Sequence, residues 1–249
     1  MVDSGPISCK NCGERAEGSF CKVCGQRTSI GRVTFKETFH DFTNILFSIG
    51  APLPVTLGKL ISNPGFLFRE YLAGKRKKYY KPISFFVLFT LTYLFIKWVI
   101  QFEDYMEVAV VSNLPRIDLE LFSRAREYMF ENIKSMALIL VFTMAIFLKL
   151  FFRKQYTLAE YVAISFYLNG FYSLLATLNL VFIKYANPAV QYLALMVMCA
   201  YFVYAIVSFF QKQKLKVVLK SFLAFSMAYA GYLFLALNIS YFIVMIKQV

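Results

Sequence analysis

The chain is poor in the groups that do chemistry. One histidine and one tryptophan occur in 249 residues, and only 14 Asp and Glu stand against 27 Lys and Arg. No acidic residue falls within an apolar run, so the acidic relay of a proton-coupled transporter is missing, and general acid–base catalysis has few candidates. A nucleophile elbow, a P-loop, an HExxH helix and a dinucleotide fingerprint are all lacking. Charged residues reach only 16% of the chain, against about 25% in an ordinary soluble protein. No cleavable signal peptide opens the sequence, because the residues before position 83 are polar, Cys-bearing and basic, and the amino end is expected to stay in the cytoplasm.

What is abundant is apolar surface: 59% of residues are hydrophobic, 18% aromatic and 28 are Phe. That content excludes disorder, collagen and a secreted disulfide scaffold. Five runs approach or exceed the roughly 20 residues that cross about 30 Å of hydrocarbon as a helix: 83–100, 133–152, 161–183, 189–210 and 221–246. The second is the weakest, since Lys134 and Lys149 shorten it unless both snorkel. Barrel strands would alternate, and these runs are continuous. The expected fold is therefore an all-α integral membrane protein of about five transmembrane helices (82–249), with an external loop at 101–132.

The net charge of +13 is polarised along the chain. Residues 1–81 hold 13 Lys and Arg against 6 Asp and Glu, whereas 101–132 hold 3 against 7. Arg153 and Lys154 follow the second run, and Lys212, Lys214, Lys216 and Lys220 follow the fourth. Basic loops stay in the cytoplasm, which predicts an internal amino end, five crossings and an external carboxyl end. Within the external loop, Leu119, Phe122, Met129 and Ile133 recur near helical spacing. They mark an amphipathic surface helix or an extension of the second crossing.

The sharpest chemical signal is Cys9-Lys-Asn-Cys12-Gly13 and Cys21-Lys-Val-Cys24-Gly25. Two C-x-x-C-G knuckles supply four soft donors for a tetrahedral ion, and four cysteines close its coordination sphere, so the expected cofactor is a structural Zn²⁺ in a ribbon over residues 1–30. Iron, a redox dithiol and two disulfides are the alternatives; a cytoplasmic location disfavours stable disulfides. Lys10, Arg15, Lys22 and Arg27 are offset by Glu14 and Glu17, and Phe20 is the ribbon's one aromatic residue. Protein contact, with a partner or a second copy, is thus a better reading than nucleic acid. Cys199, inside the fourth run, reads as packing.

Residues 31–81 connect the ribbon to the membrane. Phe35, Phe39, Phe42, Ile45, Leu46 and Ile49 mark one face of an interfacial amphipathic helix. It carries His40, the sole histidine, which reads as a solvated group with a functional role as the alternative. Two short apolar helices follow around Asn63-Pro64-Gly65. Immediately before the first crossing, Lys75, Arg76, Lys77, Lys78 and Lys81, with Arg69 upstream, form a basic collar. It is suited to anchoring on anionic headgroups or, more sharply, to binding a phosphate.

The Cys-x-x-Cys-Gly ribbon, Thr34-Phe35-Lys36, Asn63-Pro64-Gly65 with Arg69-Glu70-Tyr71, and Gly74-Lys75-Arg76 through Tyr79 to Pro82 together resemble a bacterial membrane family catalogued as domain of unknown function 3667. The resemblance covers roughly residues 9–90. It implies a multi-pass protein of the bacterial cytoplasmic membrane and transfers no catalytic residue. A non-enzymatic accessory or scaffold protein is the expected function. The alternatives are a transporter, channel or lipid-handling protein, for which Asn169, Asn179 and Asn238 would have to line a cavity, and an enzyme acting on a lipid phosphate through His40, Arg69 and Arg76.

Overall fold

The computed structural model describes residues 7–28, 52–102, 119–132, 136–185, 190, 192–211 and 214–247. The expected amphipathic helix at 35–49, and His40 with it, lie outside these residues. Two short strands, β1 (Ile7–Ser8) and β2 (Arg15–Ala16), pair antiparallel in the ribbon. Eight helices follow among the described residues: α1 (Pro52–Ser62), α2 (Pro64–Leu72), α3 (Pro82–Val99), α4 (Leu119–Glu131), α5 (Ala137–Phe151), α6 (Leu158–Tyr185), α7 (Leu193–Phe210) and α8 (Lys214–Lys247).

Local sequence explains where several of these helices start and stop. Asn63 caps α2 by accepting from the Phe66 N–H at 3.0 Å, with Pro64 in the first helical position, where a missing N–H costs nothing. Pro82 opens α3 in the same way. Thr157 and Glu160 form a reciprocal capping box before α6: the Glu160 carboxylate accepts from the Thr157 N–H and hydroxyl, and the Glu160 N–H donates back to the hydroxyl. That box explains how a glutamate comes to be only 3% exposed.

The core is built around α6, which is buried without a break from Ala159 to Phe171. Its neighbour α3 runs parallel to it. Tyr167 donates to the Tyr80 carbonyl, Phe86 packs on Phe166, Thr90 meets Ser173 at 3.3 Å, and Tyr93 clusters with Ala176 and Leu180. Gly170 makes the approach possible, because a Cβ there would stand 2.5 Å from the Phe85 ring. Contacts of Asn169 with Met144 and of Tyr161 with Phe152 show α5 antiparallel to α6. Gly231 against Phe147 and Thr143, and Ser240 against Met136, show it antiparallel to α8. The small residues Ala224, Ala228 and Ala236 of α8 are buried within the chain, so they serve internal packing.

Large apolar side chains point away from this core, among them Phe95 and Trp98 on α3, Phe142 and Ile146 on α5, Met196 on α7, and Phe234 and Phe242 on α8. An outer face of this kind suits a lipid solvent. Among the described residues, four helices, Pro82–Val99, Leu158–Tyr185, Leu193–Phe210 and Leu215–Lys247, are long and apolar enough to cross a membrane. The second expected run folds as a helix of 15 residues, about 22 Å long against about 30 Å of hydrocarbon. Lys149 near its end reaches forward to donate to the Arg153 and Tyr156 carbonyls at 2.8 and 2.7 Å, in the connection that follows the helix.

Candidate functional site

The two knuckles share one backbone plan. The Cys9 N–H donates to the Glu14 carbonyl at 2.9 Å and the Gly13 N–H to the Cys9 carbonyl at 2.8 Å; the Cys21 N–H donates to the Gln26 carbonyl at 2.7 Å and the Gly25 N–H to the Cys21 carbonyl at 2.8 Å. Gly13 and Gly25 close the turns at φ +80° and +66°, where a side chain would be strained. The plan brings all four sulfurs within 4.8 Å of one another. Cys9 and Cys24, and likewise Cys12 and Cys21, stand 3.6 Å apart, and all four cysteines are free thiols. Four thiolates at bonds of about 2.3 Å from a tetrahedral ion would sit roughly 3.8 Å apart, so the donor set fits a metal ion.

The electrostatics agree. The Cys12 N–H, set against desolvation, holds the Cys9 thiol down at about 7, and the Cys24 and Val23 N–H groups lower Cys21. Cys12 is pushed up to about 12: the Glu14 N–H pulls it down, but desolvation and the crowded Cys21, Cys24 and Cys9 sulfurs outweigh that pull. Backbone donors prepare thiolates, and crowding opposes ionising all four unless a cation shares the site.

Gln26 connects the ribbon to the basic collar. Gln26, immediately after the second knuckle, is 5% exposed. Its amide donates to the Gly74 carbonyl at 2.8 Å, and its side-chain oxygen accepts from the Lys77 N–H at 3.0 Å. The ribbon therefore sits on the basic collar. Spacing could not reveal this contact, since it spans about fifty residues, and a glutamine among charged neighbours carries no signal.

The collar itself is held by Glu70. Lys75, Lys78 and the Tyr79 hydroxyl all donate to its carboxylate, Lys78 at 2.8 Å. Burial pushes the Glu70 carboxyl up, but these donors outweigh it and hold it at about 2. The same burial and the neighbouring Glu70 charge raise Tyr79. Lys78 also lies over the rings of Phe66 and Tyr79, and Arg76 over that of Tyr71. The collar cations are thus tied into one cluster, with Lys77 exposed beside the ribbon and Lys81 at the start of α3.

Arg69 does something else. Its guanidinium donates to the Ser208 and Phe209 carbonyls at the end of α7, the latter at 3.0 Å. Those carbonyls are orphans of the helix terminus, and a cation there also suits the helix dipole. The hydrogen bonds run both ways: the Tyr201 and Tyr204 hydroxyls of α7 donate to the last carbonyls of α1, Leu60 and Ser62, each at 2.9 Å. Asn63 accepts from the Ser208 hydroxyl, and Gly65 lies against the Ser208–Phe209 backbone. Finally, Thr56 accepts from the Tyr80 N–H at 2.8 Å, so the end of the collar is pinned to α1.

Three asparagines flagged in the membrane runs stand apart. Asn169 donates to Ser165 and Met144, Asn179 to the Val190 carbonyl in the α6–α7 connection, and Asn238, on the exposed side of α8, to Phe234. Ten residues of helix, about 15 Å, separate the first two. They do not converge.

Residues 53–94 match a family described as protein of unknown function (DUF3667). The matched stretch holds α1, α2, the collar and most of α3, and it carries the Asn63-Pro64-Gly65, Arg69-Glu70 and collar residues whose interactions are described above; the four cysteines precede it. Neither the search of curated proteins nor that of solved structures returned a match.

Proposed function

We propose that this is a non-enzymatic accessory or scaffold protein of the bacterial cytoplasmic membrane, in which a structural zinc ribbon is presented to a protein partner from a multi-pass helical anchor. The observation that carries the reading is the Gln26 clasp. It seats a four-cysteine cluster directly on the basic segment that leads into the first membrane helix. A catalytic metal would need an open position, and four thiolates leave none. The collar faces the anionic headgroups of the inner leaflet, where each cation contributes about 1 kcal/mol. Lys81 serves that role alongside the cluster around Glu70. The ribbon's exposed Phe20 and Val23 offer the apolar contact a partner would use.

Purification of the full chain in mild detergent, with metal analysis and mass spectrometry, tests the proposal. One zinc per chain and a stoichiometric partner are expected. Replacing Cys9 and Cys21 with serine should remove both. A partner-free chain carrying a tightly bound lipid would overturn the scaffold reading and favour lipid handling.

A further inference from the structure

The two knuckles are built alike but used differently. Glu14 and Gln26 hold equivalent places, each giving its backbone carbonyl to the first cysteine of its knuckle. Glu14 is exposed, whereas Gln26 is buried and spends both ends of its amide on the collar. The position of Gln26 is therefore set by the same turn that aims the Cys21 and Cys24 sulfurs. Beside it, Lys77 places its ammonium 3.9 Å from where a Cβ on Gly25 would be. Four thiolates on a divalent ion carry a net charge of about −2, so a cation held against the knuckle is complementary to the loaded site. Lys75 and Lys78, by contrast, are engaged by Glu70.

We propose that the metal site extends beyond its four cysteines to Gln26 and Lys77, and that metal binding latches the ribbon onto the collar. Gln26 fixes the second knuckle against Gly74 and Lys77, and Lys77 offsets the charge of the thiolate cluster. Such outer groups hold ligands in their binding geometry. Coupling is reciprocal: if the docked collar strengthens metal binding, metal binding holds the collar docked. The latch rests on the metal reading above and adds the collar residues to it.

Zinc affinity of the full detergent-solubilised chain, measured by chelator competition, should fall about 10- to 100-fold in Gln26→Ala and in the same direction in Lys77→Gln. Glu14→Ala, at the equivalent place in the other knuckle, should bind as the wild type does. Limited trypsin digestion supplies the reciprocal measurement. Cleavage after Lys75, Arg76, Lys77 and Lys78, mapped by mass spectrometry, should be about tenfold slower with zinc than after chelation. Gln26→Ala, still zinc-loaded, should be cut at the chelated rate. Equal losses in Gln26→Ala and Glu14→Ala, or unchanged affinity and protection in Gln26→Ala, would overturn the latch while leaving a metal-bearing ribbon in place. A wild-type chain without stoichiometric metal would instead remove the metal reading itself.

Discussion

Glu70 is the one acidic residue in a strongly basic stretch, and it decides how that stretch is arranged. Without its carboxylate, Lys75 and Lys78 would lose the counter-charge they share, and the buried Tyr79 hydroxyl would lose its acceptor. Glu70→Gln keeps the shape and removes the charge. It should destabilise the folded chain by roughly 1–3 kcal/mol, read as a lowered Tm in detergent. The pH dependence has a definite sign. The folded carboxyl lies at about 2, below its ordinary 4.5, so its contribution is fully present above about 4.5 and is lost as pH falls toward 2. The Tm difference between wild type and Glu70→Gln should therefore be constant near neutrality and shrink across that acidic window. A difference that persists undiminished at pH 2 would show that the Glu70 charge is not what holds the collar.

At the scale of elements, the consecutive helices α1 and α2 and the end of α7 complete each other's helix termini. Arg69 caps α7, the α7 tyrosines cap α1, and Gly65 lets the two backbones touch. A Cβ on Gly65 would stand 2.2 Å from the Ser208 carbonyl carbon, whereas one on Gly58 would meet nothing within 4 Å. Gly65→Ala should accordingly cost about 1–3 kcal/mol or more from overpacking. Gly58→Ala, in the preceding helix α1, should be neutral or stabilising by up to about 1 kcal/mol through helix propensity. Thermal unfolding of both variants in detergent checks the pair, and equal destabilisation would mean that α2 does not approach α7 this closely. The same segments show why some elements were legible and others not. Continuous apolar runs, proline at Pro64 and Pro82, and the Asn63 and Thr157 caps are local signals. Arg69 reads locally as a phosphate ligand, because nothing near it in sequence announces that the end of α7, some 140 residues later, needs a cation.

For the whole molecule, the parallel packing of α3 and α6 constrains topology. Two parallel neighbours require the chain between them to return, and α5 is the described helix in that interval that runs the opposite way. Five crossings, as expected from the sequence, would require the short α5 to supply that return, with Lys149 directed to the loop carbonyls beyond its end. A reporter inserted between Arg153 and Lys154 should lie on the same side as the ribbon, in the cytoplasm, and one fused after Val249 on the opposite side. A reporter at Arg153 found outside would mean that α5 does not cross.

Composition and order along the chain were enough for the broad outline: an apolar content too high for water, runs long enough for lipid, a polarised charge, and four cysteines in two knuckles. These are local properties, and chain connectivity alone brings their parts together. Tertiary structure decided what the charges do. It sent Arg69 to a helix end, gathered Lys75 and Lys78 on Glu70, and used Gln26 to seat the ribbon on the collar. Each of those outcomes depends on which hydrogen-bonding groups folding leaves without partners, and their positions are set by packing between segments far apart in sequence.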